Sequence, residues 1–172
     1  MPRIPALTIE QAPEASRPVL EAIQSNYGVL LNVFKTMAHS PALLSGYIQF
    51  YQAMEKSSLS PKERETVSLA VSQVNGCSYC MGVHTMMAAK GGMSPEAIRA
   101  ARDGKLDAYA ALAQQIALTR GQVTDEDLAA ARSAGLTDAK IVEVVAEVAL
   151  MTVTNLLNNV AQTLLELTPV EM

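Results

Sequence analysis

The sequence predicts an all-α fold, and three observations carry that prediction. Apolar residues make up 49% of the 172-residue chain but aromatics only 4%, with no Trp. The core must therefore come from Ala, Val, Leu, Ile and nine Met, a set that favours helices over sheets. Strong apolar patterns repeat at helical spacing, and no polar–apolar alternation is long enough for a strand. Prolines stand where helices begin: Pro41 follows Ser40, Pro61 follows Ser60 and Pro95 follows Ser94. Each pair reads as an N-cap with proline at the first helical position.

The elements follow in order. About eight helices are expected, at 16–26, 29–38, 41–56, 61–74, 77–90, 94–102, 105–120 and 137–167, with a shorter one near 125–134. Gly28, Gly91–Gly92, Gly104, Gly121 and Gly135 punctuate the joints. The acids of "SPKE" and "SPEA" fall in the positive first turns of helices 61–74 and 94–102. Helix 61–74 carries the apolar stripe Val67, Ala70, Val71 and Val74, and Asn75–Gly76 breaks it. The most apolar segment, Ile141 to Leu157, contains Glu143 and Glu147 and is too short to span a bilayer comfortably. It reads as a buried helix. His39 stands alone near a helix end, as a C-terminal cap.

The length suits a single domain, 1–172, with no low-complexity linker. The segment from Leu59 faintly echoes the one from Leu136, but the second copy would place Thr154, Leu157 and Ala161 opposite Cys77, Cys80 and His84. Similar amphipathic helices look alike anyway, so duplication has little support. Net charge is −4, with no basic stripe, which argues against nucleic acid as the main partner. "MPRIPALTIE" has no apolar run after its Arg, so no export signal is expected. A cytoplasmic, reducing compartment follows, where a close cysteine pair is more often catalytic or metal-binding than structural.

Both cysteines fall in "ETVSLAVSQVNGCSYCMGVH", Glu65 to His84. Cys77 lies in the first turn of the helix after Asn75–Gly76. Cys80 is three residues on and His84 four further, all on one face. A helix N-terminus and an imidazolium each lower a thiol pKa. A second thiol one turn away can close a disulfide on a sulfenic acid. His84 can take the Cys80 proton. Helix-end electrostatics favour Cys77 as the thiolate, whereas His84 favours Cys80. Glu65, on the preceding helix, is the candidate to orient His84. Its position opposite the apolar stripe is equally that of a solvated glutamate, unless both faces of helix 61–74 are covered. Gly82 inside the Cys helix costs about 1 kcal/mol against Ala, so close packing by a backbone or substrate is expected there.

Other readings are weaker. Two inert buried thiols would be unremarked as small hydrophobes, but both cysteines of the chain in one C-x-x-C at a helix start point elsewhere. Zinc held by Cys77, Cys80, His84 and Glu65 is chemically open, yet structural zinc draws closed Cys-rich sets from loops. Covalent haem needs His directly after the second Cys, where Met81 stands. Tyr79 and Met86 fall on the far side of the Cys helix as packing residues, with Tyr79 also a candidate for the pocket. Asn155, Asn158 and Asn159 face solvent or reach a polar pocket, Asn158 being the candidate for the latter.

Glu65, eleven residues, "CSYC" at 77–80, three residues and His84 resemble the alkylhydroperoxidase (AhpD-like) branch of the carboxymuconolactone decarboxylase family. The motif core is 59–92, 34 of 172 residues, and "NGCSYC" followed by His at this spacing is specific. The resemblance implies an AhpD-like helical fold, trimers or hexamers, and an antioxidant thiol peroxidase that reduces small organic hydroperoxides. It implies Cys80 as the nucleophile, Cys77 as proton donor and resolving thiol, and His84 with Glu65 as proton relay. No metal or organic cofactor is expected; electrons come from an external thiol or dithiol. No nucleic acid or membrane partner is expected. The best-known members carry a second His between the cysteines, where this chain has Tyr79, whose phenol titrates near 10. A shorter relay is the expected consequence. The rivals are a carboxymuconolactone decarboxylase-type lyase on the same fold, against which a functional C-x-x-C argues, and a non-enzymatic thiol redox sensor. Composition also favours a homo-oligomer, since Met-rich apolar helices leave surface that one subunit does not cover.

Overall fold

A computed structural model describes residues 1–166. Among them lie nine α-helices, one 3₁₀ turn (Glu14–Ser16) and no strand. The helices are α1 (Arg17–Tyr27), α2 (Asn32–Met37), α3 (Pro41–Met54), α4 (Pro61–Val74), α5 (Ser78–Lys90), α6 (Pro95–Arg102), α7 (Ala108–Thr119), α8 (Asp125–Ser133) and α9 (Asp138–Ala161).

The Ser–Pro starts work as the sequence suggests. Ser40, Ser60 and Ser94 accept the backbone N–H of Leu43, Glu63 and Ala97 at 3.2, 3.3 and 3.2 Å. Glu63 returns the favour, its carboxylate accepting the Ser60 N–H at 2.6 Å to close a capping box. Such caps each contribute about 1 kcal/mol. The Glu63 carboxylate also accepts from Lys140 Nζ at 2.7 Å, tying the start of α4 to the start of α9. Burial works against the charge there, but Lys140 and Tyr109 outweigh it and pull the carboxyl down to about 2.

Helix α4 is the hub. It packs against α5, α6, α7 and α9, and every residue from Thr66 to Ser72 is buried. Both faces are covered because two cores meet on it. Val67, Ala70 and Val71 join the main core, and Leu69 joins a smaller one with Ala88, Met93, Ile98 and Ala101. That is the condition under which Glu65 leaves solvent.

The joint between α4 and α5 is a single motif. Gly76 takes the left-handed conformation, φ 61°, that closes α4. The N–H of Gly76 donates to the Gln73 carbonyl at 3.2 Å and that of Cys77 to the Ser72 carbonyl at 3.0 Å, the paired bonds of a Schellman ending. Cys77 is then the N-cap of α5, one residue earlier than the first turn expected for it.

Two boundaries differ instructively. Helix α9 stops at Ala161 rather than running toward 167. Gln162 adopts a left-handed backbone, φ 51°, and the Ala161 carbonyl is taken by the N–H of Arg3 at 2.7 Å. Residue 167 itself lies outside the described residues. His39 caps no helix; its Nε2 donates to the Pro5 carbonyl at 2.9 Å and pins the N-terminal segment.

Helix α9 is long and apolar enough to cross a membrane by length and composition. It is nonetheless built into the core, carrying Glu147, Asn155 and Asn158 as buried residues. Its outer side is an exposed stripe of Val142, Val145, Val153, Leu156 and Val160.

Candidate active site

The site forms where α4, α5 and α9 meet, on a cavity of about 610 Å³. Most of its wall is apolar or aromatic, including Phe34, Tyr47, Tyr51 and Met151, and Cys80, His84, Glu65 and Asn158 all line it. Cys77 lies behind, fully buried.

Because α5 begins at Ser78, Cys80 is its third residue and stands in the positive first turn. The helix-end argument that favoured Cys77 therefore applies to Cys80. Cys77, as N-cap, accepts the Cys80 backbone N–H on its sulfur at 3.3 Å. The two thiols divide their protonation accordingly. A hydrogen bond from the Cys77 thiol pulls the Cys80 sulfur down to about 6. Burial opposes this, and the His84 charge and the Asn158 amide assist it. The same thiol–thiolate bond, with burial, pushes Cys77 upward, so Cys77 keeps the proton. The surroundings thus favour the thiolate at Cys80 and the thiol at Cys77.

His84 Nδ1 and Glu65 Oε2 are 2.8 Å apart, each side chain 17% exposed. A carboxylate only accepts, so Nδ1 carries hydrogen and Nε2 is the nitrogen left to exchange a proton. Burial disfavours the imidazolium, but Glu65 more than offsets it and raises the His84 pKa.

Asn158 Nδ2 donates to Cys80 Sγ at 3.3 Å. Asn155 and Asn159 hold the α4–α5 joint: Asn75 Nδ2 donates to Asn155 Oδ1 at 2.9 Å, and Asn159 Nδ2 to the Asn75 carbonyl at 2.8 Å.

Tyr79 is not on a far side. Its ring lines the cavity, while its hydroxyl donates to Glu166 at 3.1 Å and accepts the Val33 N–H at 3.3 Å. Burial, with the Glu166 charge next, pushes its phenol well above the usual value. It ties α5 to the start of α2 and to the segment after α9. Met86 also borders the cavity. The small residue at Gly82 makes room for a side chain of that last segment: a Cβ there would come within 2.6 Å of Leu165 Cδ2.

Sequence reading missed one charged pair in the cavity. Arg64 Nε donates to Glu147 at 3.1 Å, with Ser68 on the other carboxylate oxygen at 3.4 Å. Arg64 also lies 5.1 Å from the Tyr51 ring centroid. Burial raises the Glu147 pKa against the pull of Arg64. An acid deep in the most apolar helix was the available signal, since a buried charge needs a partner. Among the described residues no three His, Cys, Asp or Glu are grouped to hold a metal.

The fold and site together define an AhpD-like helical protein with a buried thiol pair beside a His–Glu pair. Residues 41–120, which contain Glu65, Cys77, Cys80 and His84, match the carboxymuconolactone decarboxylase family. Three solved structures share the fold. An uncharacterized peroxidase-related protein with an alkylhydroperoxidase AhpD core, from Ralstonia eutropha JMP134, is 23% identical, with TM-score 0.82 over 96% of this chain and 92% of its own. A cysteine-to-alanine variant of the debrominase Bmp8, solved with 2,3,4-tribromopyrrole, is 17% identical, with TM-score 0.78 over 95% and 91%. An uncharacterized peroxidase-related protein from Silicibacter sp. TM1040 is 20% identical, with TM-score 0.76 over 94% and 91%. At these identities they speak for the fold. No curated protein matches the chain in sequence. The partial family match and the shared AhpD-like fold agree with the resemblance carried by the Glu65-to-His84 spacing.

Proposed function

We propose that the protein is a thiol peroxidase that reduces organic hydroperoxides with the Cys77–Cys80 pair. The observation that supports this most is the unequal pair itself, with Cys80 a thiolate on the cavity wall and Cys77 a protonated thiol directly behind it. The Cys80 thiolate attacks the terminal oxygen of ROOH. The O–O bond breaks, sulfur becomes a sulfenic acid, and the alkoxide leaves with the electron pair. His84, held charged by Glu65, gives that alkoxide its proton. Cys77 then attacks the Cys80 sulfur, and water leaves as the disulfide closes. Two equivalents of an external thiol, or one dithiol, restore the pair. The apolar wall suits an organic rather than a charged peroxide. A reducing, cytoplasmic setting would keep the cycle running.

The reaction is tested by hydroperoxide consumption with an excess of dithiol. Wild type should turn over and Cys80→Ser should not; equal rates would sink the assignment. The lyase reading on the same fold predicts that a lactone substrate is still consumed when both cysteines are serine. A sensor would form the disulfide once and show no turnover with any reductant. The exposed apolar stripe on α9 supports a homo-oligomer, and a monomer in sedimentation would count against it.

A further inference from the structure

Most polar groups on the cavity wall are partnered within the protein. Arg64 holds Glu147, and His84 holds Glu65. Asn158 is half-used. It is buried, 3% exposed, and its Nδ2 donates to Cys80 Sγ. Its Oδ1 has no hydrogen-bond partner among the described residues. Buried hydroxyls of Thr36, Ser57, Thr66 and Thr163 also lack partners, but none of those residues lines the cavity.

A buried amide oxygen without a donor destabilises the fold, because it has given up its hydrogen bonds to water and gained none. Native folds keep few such groups, and each calls for a reason. Polarising the sulfur is not the reason, since Nδ2 alone does that. The unmet acceptor sits on the other arm of the same amide, next to the sulfur that reacts. What it lacks is one donor hydrogen, and the cavity that Asn158 lines is the space from which a substrate could bring one.

We infer that Asn158 is a catalytic residue that binds the terminal O–H of a hydroperoxide on Oδ1 while Nδ2 holds the Cys80 sulfur. This rests on the thiol peroxidase reading and names its substrate class as peroxides with a free O–H, such as alkyl hydroperoxides, over dialkyl peroxides. One rigid amide thereby sets the two reacting atoms side by side, an orientation that an enzyme must otherwise gain by ordering the substrate. In the step itself a bond forms from Cys80 Sγ to the terminal oxygen, whose hydrogen stays on it, bonded to Asn158. The O–O bond breaks, and RO⁻ takes its proton from His84. Sulfur is oxidised by two electrons and the peroxide reduced by two.

The test is Asn158→Leu, which removes both arms at similar volume. Two rate constants for Cys80 are measured at a pH where its sulfur is fully ionised in both proteins. One is sulfenic acid formation with cumene hydroperoxide, read by dimedone trapping. The other is alkylation by iodoacetamide, which needs no O–H acceptor. The ratio of the first to the second should fall in the variant on the order of tenfold, the worth of one lost hydrogen bond. An unchanged ratio overturns the inference. Wild type offers a second measurement that depends on no variant folding. Its preference for cumene hydroperoxide over the O-methyl ether should exceed that of free dithiothreitol, and an equal preference overturns the inference. Should wild-type Cys80 alkylate normally yet form no sulfenic acid with any hydroperoxide, the peroxidase reading falls and this inference with it. Peroxide reduction by wild type with an unchanged ratio in Asn158→Leu overturns the inference alone.

Discussion

Replacing Glu65 by Gln keeps the shape of the site and removes one charge. The Nδ1–Oε2 distance is 2.8 Å, with both side chains mostly shielded. Two unit charges about 4 Å apart attract by about 4 kcal/mol at an effective dielectric near 20. The cost of taking both from water offsets part of this. What remains is the roughly 1.5–3 kcal/mol of a charge-assisted hydrogen bond, which favours the charged form of His84. In Glu65→Gln the His84 pKa falls, because burial is then opposed only by the Cys80 and Glu147 charges. Cys80 loses its cationic neighbour, so its thiolate titration moves upward from about 6. Sulfenic acid formation at neutral pH should drop on the order of ten- to a hundredfold, from fewer thiolates and a weaker proton donor.

The stability change has a sign that separates this account from simple disruption. A histidine raised in the folded state stabilises most below its unfolded pKa near 6.5, and that contribution disappears as pH rises through the folded value. Glu65→Gln should therefore cost stability at about pH 6 and little at about pH 9. Urea unfolding at both pH values, with ultraviolet titration of the thiolate, reads both effects. An unmoved Cys80 titration with equal losses at the two pH values would refute the reasoning.

Three more predictions follow from the same geometry. Substoichiometric iodoacetamide at neutral pH should label Cys80 before Cys77, as peptide mass mapping would show; labelling of Cys77 first would reverse the assigned roles. Gly82→Ala should change Tm by only a few degrees, because about 1 kcal/mol of helix propensity is set against moving the flexible end of Leu165. Gly82→Leu should lower Tm clearly by pushing that segment away. Arg64→Met should destabilise by about 3–5 kcal/mol by leaving Glu147 buried without its partner. Since burial already raises the Glu147 pKa, the penalty should shrink as pH falls and the acid takes a proton, and Glu147→Gln in the same chain should recover most of it.

The helices were legible because their signals are local. Ser60–Pro61–Glu63 and Asn75–Gly76 each fix a boundary within a few residues, and α4 runs over the range its pattern predicts. The end of α9 was not legible. Leu164 to Glu166 continue in residue types compatible with a helix, and what stops it is distant: Arg3 on the last carbonyl and Asn32 and Tyr79 on Glu166. The same limit applies at the site. Cys77, Cys80 and His84 share a helix, so spacing places them on one face. Glu65 could be placed only by knowing that α4 is covered on both sides. Arg64 and Glu147 are 83 residues apart, and no pattern within either helix pairs them. Spacing sets Tyr79 on a far side only if α5 has one buried face, whereas α4, α6 and α9 all pack on it.

The local and distant parts of the site divide by task. In the proposed reaction, the groups that move electrons and protons lie between Glu65 and His84, on two helices welded by one Schellman turn. Cys77 is both the residue that completes the ending of α4 and the N-cap of α5. Its sulfur is thus fixed relative to the helix that carries Glu65, and Cys80 is fixed one turn above it. Closing the disulfide would take the Cys77 sulfur from the Cys80 N–H it now caps. That rearrangement falls at the first turn of α5, where Tyr79 fastens the helix to α2 and to the segment after α9. The distant parts are α2 and α3, which supply Phe34, Tyr47 and Tyr51 of the aromatic wall, and α9, which supplies the Arg64–Glu147 pair's acid and the Asn158 amide. On the proposed reaction, changes to the wall that those helices supply should alter which peroxide fits, while changes between Glu65 and His84, or at Asn158, should alter whether any peroxide reacts.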